Sequence, residues 1–352
     1  MTSLYVDDCF IVGNKEATHT FKEEINRSET NVTYSDGLTD YLSCEVVFSS
    51  DKKKAWLGQP HLTKKLKAKF GEATKGMQKY KTPGTPGLNI PKAKEGDETL
   101  DAEDQSQCRS GVGLLLHLVK WSRPDIANAT RELAKHMMKA SPAAKKELLR
   151  VIKCVLDTEH LGLKIAPTFD GGVKWEVIVH SDSNWAQDPD DRVSASGTLC
   201  FVNEVLVMGV SRKQKATSLS SSEAEFCACS EAGKDIKFIV QLMLSMGMPV
   251  ELPVVVKVDN IGATFLAENA TSAARTRHID TRHRFVREMT EEKFLKMAFV
   301  RSEDNKSDGH TKNLGEDLHS KHSQSYVFHR TEIEAVAAAV IGLHGKGEKN
   351  SE

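Results

Sequence analysis

Apolar and polar positions along this chain change period several times, and each change marks an element. Residues 3–13 run apolar on both sides of Asp7-Asp8, which fits a hairpin with the acidic pair at its tip. Leu42–Val47 and Ala55–Leu57 read as two short strands around the polar turn 49–53. A lysine-rich helical segment follows, with Lys64, Lys65, Lys67, Lys69, Lys75, Lys79 and Lys81 set against Glu72. TPGTPG at 82–87 interrupts regular structure, and the acidic polar run 95–107 extends the break. From Gly111 to Leu163 the period turns helical. Leu114, Leu115, Leu118 and Val119 form one stripe, and Ile126, Ala129, Leu133 and His136 or Met137 a second after Arg123-Pro124-Asp125. Leu148, Leu149, Ile152 and Val155 form a third after Ser141-Pro142.

Beyond a turn at 167–173 the order is strand, strand, strand, helix, strand, helix, strand, helix. The first strands are Val177–His180, Ser196–Val202 and Val205–Val210. A long helix starts near Ser222, whose hydroxyl is placed to cap it, with Glu225 completing a capping box. Val254–Val258 and the MAFV segment supply two more strands, so a mixed α/β sheet with crossover helices is expected. The predicted organisation is a segment 1–81, a surface linker 82–107, a helical region 108–173, an α/β domain 174–315 and a tail 316–352 with a short helix at 332–343.

Composition narrows the class. The 352 residues are 39% hydrophobic and 28% charged, ordinary for a globular chain. A formal net charge of −1 gives no global attraction to nucleic acid, so any such binding needs local patches. No apolar run reaches the roughly 20 residues that span a bilayer, and the N-terminus lacks a signal-peptide pattern. The seven cysteines are odd in number and scattered, as expected of free thiols in an intracellular compartment, cytoplasm or nucleus. None has zinc-finger spacing.

Four carboxylates stand at the ends or edges of these elements. Asp182 follows Val177-Ile178-Val179, Glu225 opens the long helix, Asp259 ends Val254–Val258, and Asp308 follows MAFVRSEDN. Carboxylates gathered from separate elements repel one another unless a hard cation joins them. Such an oxygen-only set suits Mg²⁺, and two ions there make a site that hydrolyses phosphodiesters.

The motifs HSDSNWAQDPDDRVSASG, SRKQKATSLSSSEAEFCACSEA, VDN, RTRHIDTRHRFVRE and SDGHTKNL resemble, in order, the ribonuclease H domain of copia-type LTR retrotransposon Pol polyproteins. Upstream, LYVDDCFIVGN resembles the polymerase YxDD hairpin, and DGLTDYLSCEV, WLGQPHLTKKL and the stretch from SRPDIANATREL to EHLGL resemble the segments between palm and ribonuclease H. The resemblance covers roughly residues 3–315. It implies a ribonuclease H-like mixed five-stranded sheet with flanking helices, preceded by a partial polymerase palm and a helical connection region. It also implies two Mg²⁺ ions, with Mn²⁺ as substitute, one between Asp182 and Asp308 and the other held by Asp182, Glu225 and Asp259. The implied substrate is RNA in an RNA–DNA hybrid, and the implied partners include other Pol and Gag products or a second copy.

Glu223 rivals Glu225, but the family's glutamate is followed three residues on by a small apolar residue, which Ala228 supplies for Glu225. Ser220 and Ser222, with Ser218 and Ser221, lie before the helix, where they would either cap it or meet a phosphate or 2′-hydroxyl. Asn260 in VDN and Arg277 and His278 in RTRHID are further candidates for backbone contacts; Arg277 and His278 would equally cap a helix or pair with Asp280. His310, two residues from Asp308, reads as a surface histidine or, alternatively, as an aid to product release, and the lysine segment 64–81 as either a solvated face or a duplex groove. Ser43 and Ser307 depart from the family's glycine and alanine without removing a ligand. The competing reading is a non-catalytic nucleic-acid-binding or assembly module.

Asp7 and Asp8 match the polymerase metal ligands, but the sequence carries no earlier palm strand with the third carboxylate. This chain is therefore expected to add no nucleotide in primer extension on RNA or DNA templates. Incorporation that disappears in Asp7→Asn would show the opposite.

Overall fold

Two five-stranded sheets and a helical bundle are built around separate hydrophobic clusters, one within the bundle and others on the faces of the sheets. The computed structural model describes residues 2–5, 8–28, 32–34, 37–169, 174–260 and 277–333, without the side chains of 3–8 and 277–283. The N-terminal strands β1 (Thr2–Tyr5) and β2 (Asp8–Ile11) pair antiparallel, Tyr5 opposite Asp8, and α1 (Lys15–Arg27) follows.

Strands β3 (Asp40–Tyr41), β4 (Cys44–Phe48) and β5 (Ala55–Gly58) form an antiparallel meander. Helices α2 (Pro60–Thr74), α3 (Ala102–Trp121), α4 (Ala127–Ala134) and α5 (Pro142–Asp157) pack as a bundle. Their periodic apolar positions, among them Leu66, Phe70, Leu115, Leu118, Leu148 and Ile152, meet in one core. β6 (Leu161–Ile165) then returns to pair with β5.

The second sheet begins with a meander of β7 (Val177–Asn184), β8 (Ala195–Val202) and β9 (Val205–Lys213). Helix α6 (Ser221–Ser245) leads to β10 (Val254–Val258), and α7 (Arg277–Glu291) leads to β11 (Leu295–Phe299). β10 runs parallel to both β7 and β11. The order β11-β10-β7-β8-β9 joins an antiparallel meander to two parallel strands, the mixed five-stranded arrangement of a ribonuclease H-like fold. On α6, Phe226, Cys229, Ala232, Ile236, Val240 and Met243 recur at helical spacing and pack on Val177, Val179, Cys200, Val202 and Val256.

The other face of this sheet is covered too. Leu199, Phe201 and Leu206 pack on Tyr326 and Val327. Every residue of β8 is consequently buried. The chain reaches this face through α8 (Glu316–Ser323) and β12 (Val327–His329), which pairs antiparallel with β6. The antiparallel sheet therefore runs β12-β6-β5-β4-β3.

These pairings cross the boundaries read from sequence. Residues assigned to a tail close a sheet opened near residue 40, because the apolar Tyr326-Val327-Phe328 finds cover there. Part of the expected linker is helix, since Asp101 caps α3 by accepting from Asp104 N. The rest is tied down: Glu147 accepts from Thr85 N at 2.6 Å and Thr85 Oγ1 at 2.9 Å, and Asp190 accepts from Lys92 N at 3.0 Å. Proline and glycine stop helix and strand there but leave polar groups free to bond at long range. The helix expected at 332–343 lies outside the described residues beyond Ile333.

A fragment spanning 174–315 would uncover Leu199, Phe201 and Leu206, which Tyr326 and Val327 shield in the full chain. Losing several kcal/mol of burial, it should melt on the order of 10 °C below the full chain in calorimetry. Equal melting temperatures would show that the antiparallel sheet holding β12 adds nothing to this domain's stability.

Candidate active site

The site lies where β7 and β10 end and α6 begins. Asp182, buried on β7, stands opposite Gly197 of β8. That glycine is required by close approach: a Cβ there would fall 2.8 Å from Thr311 Cγ2 and 2.9 Å from the Ser307 carbonyl oxygen. The turn carrying Asp308 can thus lie flat on the sheet, and Thr311 Oγ1 donates to Asp182 Oδ2.

Glu225, in the second turn of α6, is buried. Its Oε1 accepts from Ser183 N at 3.0 Å and Ser183 Oγ at 2.9 Å, while Oε2 is buried without a hydrogen-bond partner. Asp259, the residue after β10, accepts from Ser302 Oγ. Oxygens of Asp182, Glu225 and Asp259 all lie within 4.8 Å of one another. Asp308 sits in a 3₁₀ turn, Lys306–His310, and stands outside that mutual set. It is buried, on the Asp182 side of the cluster, and its charge acts on Asp182. Lys312 Nζ lies 2.9 Å from Asp308 Oδ1.

Burial, then the charges of Glu225 and Asp308, hold the Asp182 carboxyl well above its usual range, against the pull of Lys312. Burial and Asp259 push Glu225 up to about 8. Burial raises Asp308 as well, with Lys312 opposing. Burial works against the Lys312 ammonium, but Asp182 and Asp308 hold its pKa above the usual lysine value. Close acid oxygens, one of them without a partner, are a donor set that a hard divalent cation fits.

The helix starts two residues earlier than the sequence reading placed it. Ser220, not Ser222, caps α6, accepting from Glu223 N at 3.1 Å, and Glu223 Oε2 accepts from Leu219 N at 2.8 Å. The cap occupies Glu223, so Glu225 turns inward. Ser222 Oγ donates to Asn260 Oδ1 at 3.4 Å, joining α6 to the residue after Asp259. Ser218 is buried against Gln214. Arg277 and His278 open α7, with side chains outside the described residues, as is Asp7; Asp8 has only its backbone described. His310 is not at the surface: it is fully buried, its ring edge-on to Tyr326, and burial pushes its pKa down to about 4. Lys312, Thr311, Ser183 and Gly197 escaped the sequence reading, although Lys312 stands one helical turn past Asp308 within SDGHTKNL.

No family model matches the chain. It is 26% identical over 311 residues to the retrovirus-related Pol polyprotein from transposon RE1 of Arabidopsis thaliana, covering 88% of this chain and 20% of that protein. It is 27% identical over 314 residues to the retrovirus-related Pol polyprotein from transposon TNT 1-94 of Nicotiana tabacum, covering 88% and 23%. These relatives are Pol polyproteins of copia-type transposons. The chain spans about a fifth of the length of the curated relatives it matches. Among solved structures, a foamy viral protease-reverse transcriptase in complex with RNA/DNA hybrid aligns with TM-score 0.47 and 10% identity, over 86% of this chain and 36% of that one.

The raised carboxyl pKa values make the metal-free protein pH-sensitive. For Glu225 the folded state holds the extra proton between the ordinary value of 4.5 and about 8. Stability from this group is therefore present below that window and lost as pH rises through it. The melting temperature in chelator should fall between about pH 5 and pH 8. Asp182→Asn should flatten that fall and melt higher than the parent at pH 8, because one repelling charge is gone. Parallel curves for parent and variant would contradict the coupling.

Proposed function

We propose that this Pol segment hydrolyses the RNA strand of an RNA–DNA hybrid, using Asp182, Glu225, Asp259 and Asp308. The observation that carries this reading is the convergence of Asp182, Glu225 and Asp259 oxygens within 4.8 Å at the end of a ribonuclease H-like sheet. Asp182 is central, since the charges of both Glu225 and Asp308 act on it. The four carboxylates would hold two Mg²⁺ ions, with Mn²⁺ as substitute, which would supply Lewis acidity for phosphodiester hydrolysis.

The chain's own groups prepare that chemistry. Ser183 fixes Glu225 by two hydrogen bonds and leaves Oε2 free to face a cation. Ser302 and Thr311 orient Asp259 and Asp182. Lys312 offsets negative charge near Asp308 and keeps the cluster compact before loading. Ser222 and Asn260, linked at the rim, offer a hydroxyl and an amide to the RNA 2′-hydroxyl, the group that distinguishes RNA from DNA. Ser220, committed to the helix cap, is left with a smaller part in substrate contact.

The test is cleavage of a labelled hybrid by the purified full chain. Mg²⁺ or Mn²⁺ should support cutting of RNA but not DNA, chelator should stop it, and Asp182→Asn should reduce it to background while the protein stays folded. Hybrid binding should weaken with salt as phosphate contacts release counterions. A chain that binds hybrid yet cuts nothing in either metal would replace this reading with the non-catalytic binding module.

A further inference from the structure

The segment RPDIANATREL contributes nothing to the carboxylate cluster itself, yet two α4 side chains reach the turn beside it. Asn128 and Arg131 lie one helical turn apart. Asn128 Nδ2 donates to Asn313 Oδ1 at 2.8 Å, and Arg131 NH2 donates to Asn128 Oδ1 at 2.7 Å. Arg131 Nε donates to Ser211 Oγ at 2.9 Å, and that hydroxyl donates to the His310 carbonyl at 2.5 Å. Asn313 is held from another side as well. Its carbonyl accepts from Gly87 N at 3.3 Å, and a Cβ on Gly84 would stand 2.5 Å from its Cγ.

His310 and Asn313 are thus pinned, and between them lie only Thr311 and Lys312. Thr311 donates to Asp182, and Lys312 pairs with Asp308. Two residues between fixed ends have little freedom, so the helix sets where these groups meet the carboxylates. We propose that Asn128 and Arg131 are positioning residues, and that the α4 helix completes the candidate site through this polar relay. The kinetic part rests on the nuclease reading above; the structural part does not.

The experiment uses the full chain with Asn128→Ala, Asn128→Asp and Ser211→Ala. Aspartate keeps an acceptor for Arg131 and, with the Asn313 amide turned over, one for its Nδ2 as well. In metal-free protein, amide hydrogen exchange at 308–314 should quicken in Asn128→Ala and Ser211→Ala, stay slow in Asn128→Asp, and be unchanged in β7 and β10. With hybrid and Mg²⁺, kcat should fall about tenfold to a hundredfold in Asn128→Ala with KM unchanged, because small displacements of reacting groups cost that much. Asn128→Asp should restore it.

Unchanged exchange at 308–314 in Asn128→Ala overturns the proposal, as does an Asn128→Asp variant as impaired as the alanine. If Asn128→Ala does not fold, Ser211→Ala decides by the same exchange readout. A parent chain that cuts nothing defeats the nuclease reading, and exchange alone then judges the relay.

Discussion

Like charges crowded out of water are the constraint around which this molecule is arranged. Asp182, Glu225 and Asp308 are all buried, and Asp259 is close enough to act on Glu225. An unpaired buried charge costs several kcal/mol, so a pocket of this kind persists only with compensation on every side. Ser183, Ser302 and Thr311 each donate to one carboxylate, and Lys312 sets an ammonium beside Asp308. Raised acid pKa values complete the relief by allowing shared protons when no cation is bound. The site is a place where the fold tolerates instability in a donor set that a hard cation would relieve.

The compensating groups need a rigid frame, and β8 provides it. One face packs under α6 through Cys200 and Val202, the other under β12 through Leu199 and Phe201. Gly197 on the same strand lets the Asp308 turn settle beside Asp182. The helical bundle is joined to this frame by the ion network of Lys135 and Lys213 on Asp188, at 3.1 and 2.8 Å. Burial alone would raise the Asp188 carboxyl; the two lysines and the Asp190 amide bring it well below the usual range. The bundle is therefore part of the packing of the ribonuclease H-like sheet rather than a spacer before it.

Much of this was legible from local pattern. Short apolar runs marked β7, β8, β9 and β10, and the ordered motifs singled out the carboxylates. The cap was ambiguous for a physical reason: Ser220-x-x-Glu223 and Ser222-x-x-Glu225 both satisfy a capping box, and only burial against Ser183 separates them. β6 and β12 were invisible because their partners lie far along the chain and each strand is short. His310 looked exposed because an imidazole is polar, whereas Tyr326 arrives to cover it from a segment that resembled nothing ordered.

The place of β12 also governs the order in which the chain can mature. During synthesis, β3 to β6 emerge long before Val327–His329, so β6 stands as an open sheet edge until nearly the whole described chain is made. Such an edge, with Trp56 and Val47 awaiting Phe328, is a template for pairing with another chain. A ribosome that stalls or stops before residue 327 would release a product in which β6, paired with β5 on one side, keeps its other edge open. Self-association of such products through β6, rather than unfolding, is the failure that this topology invites.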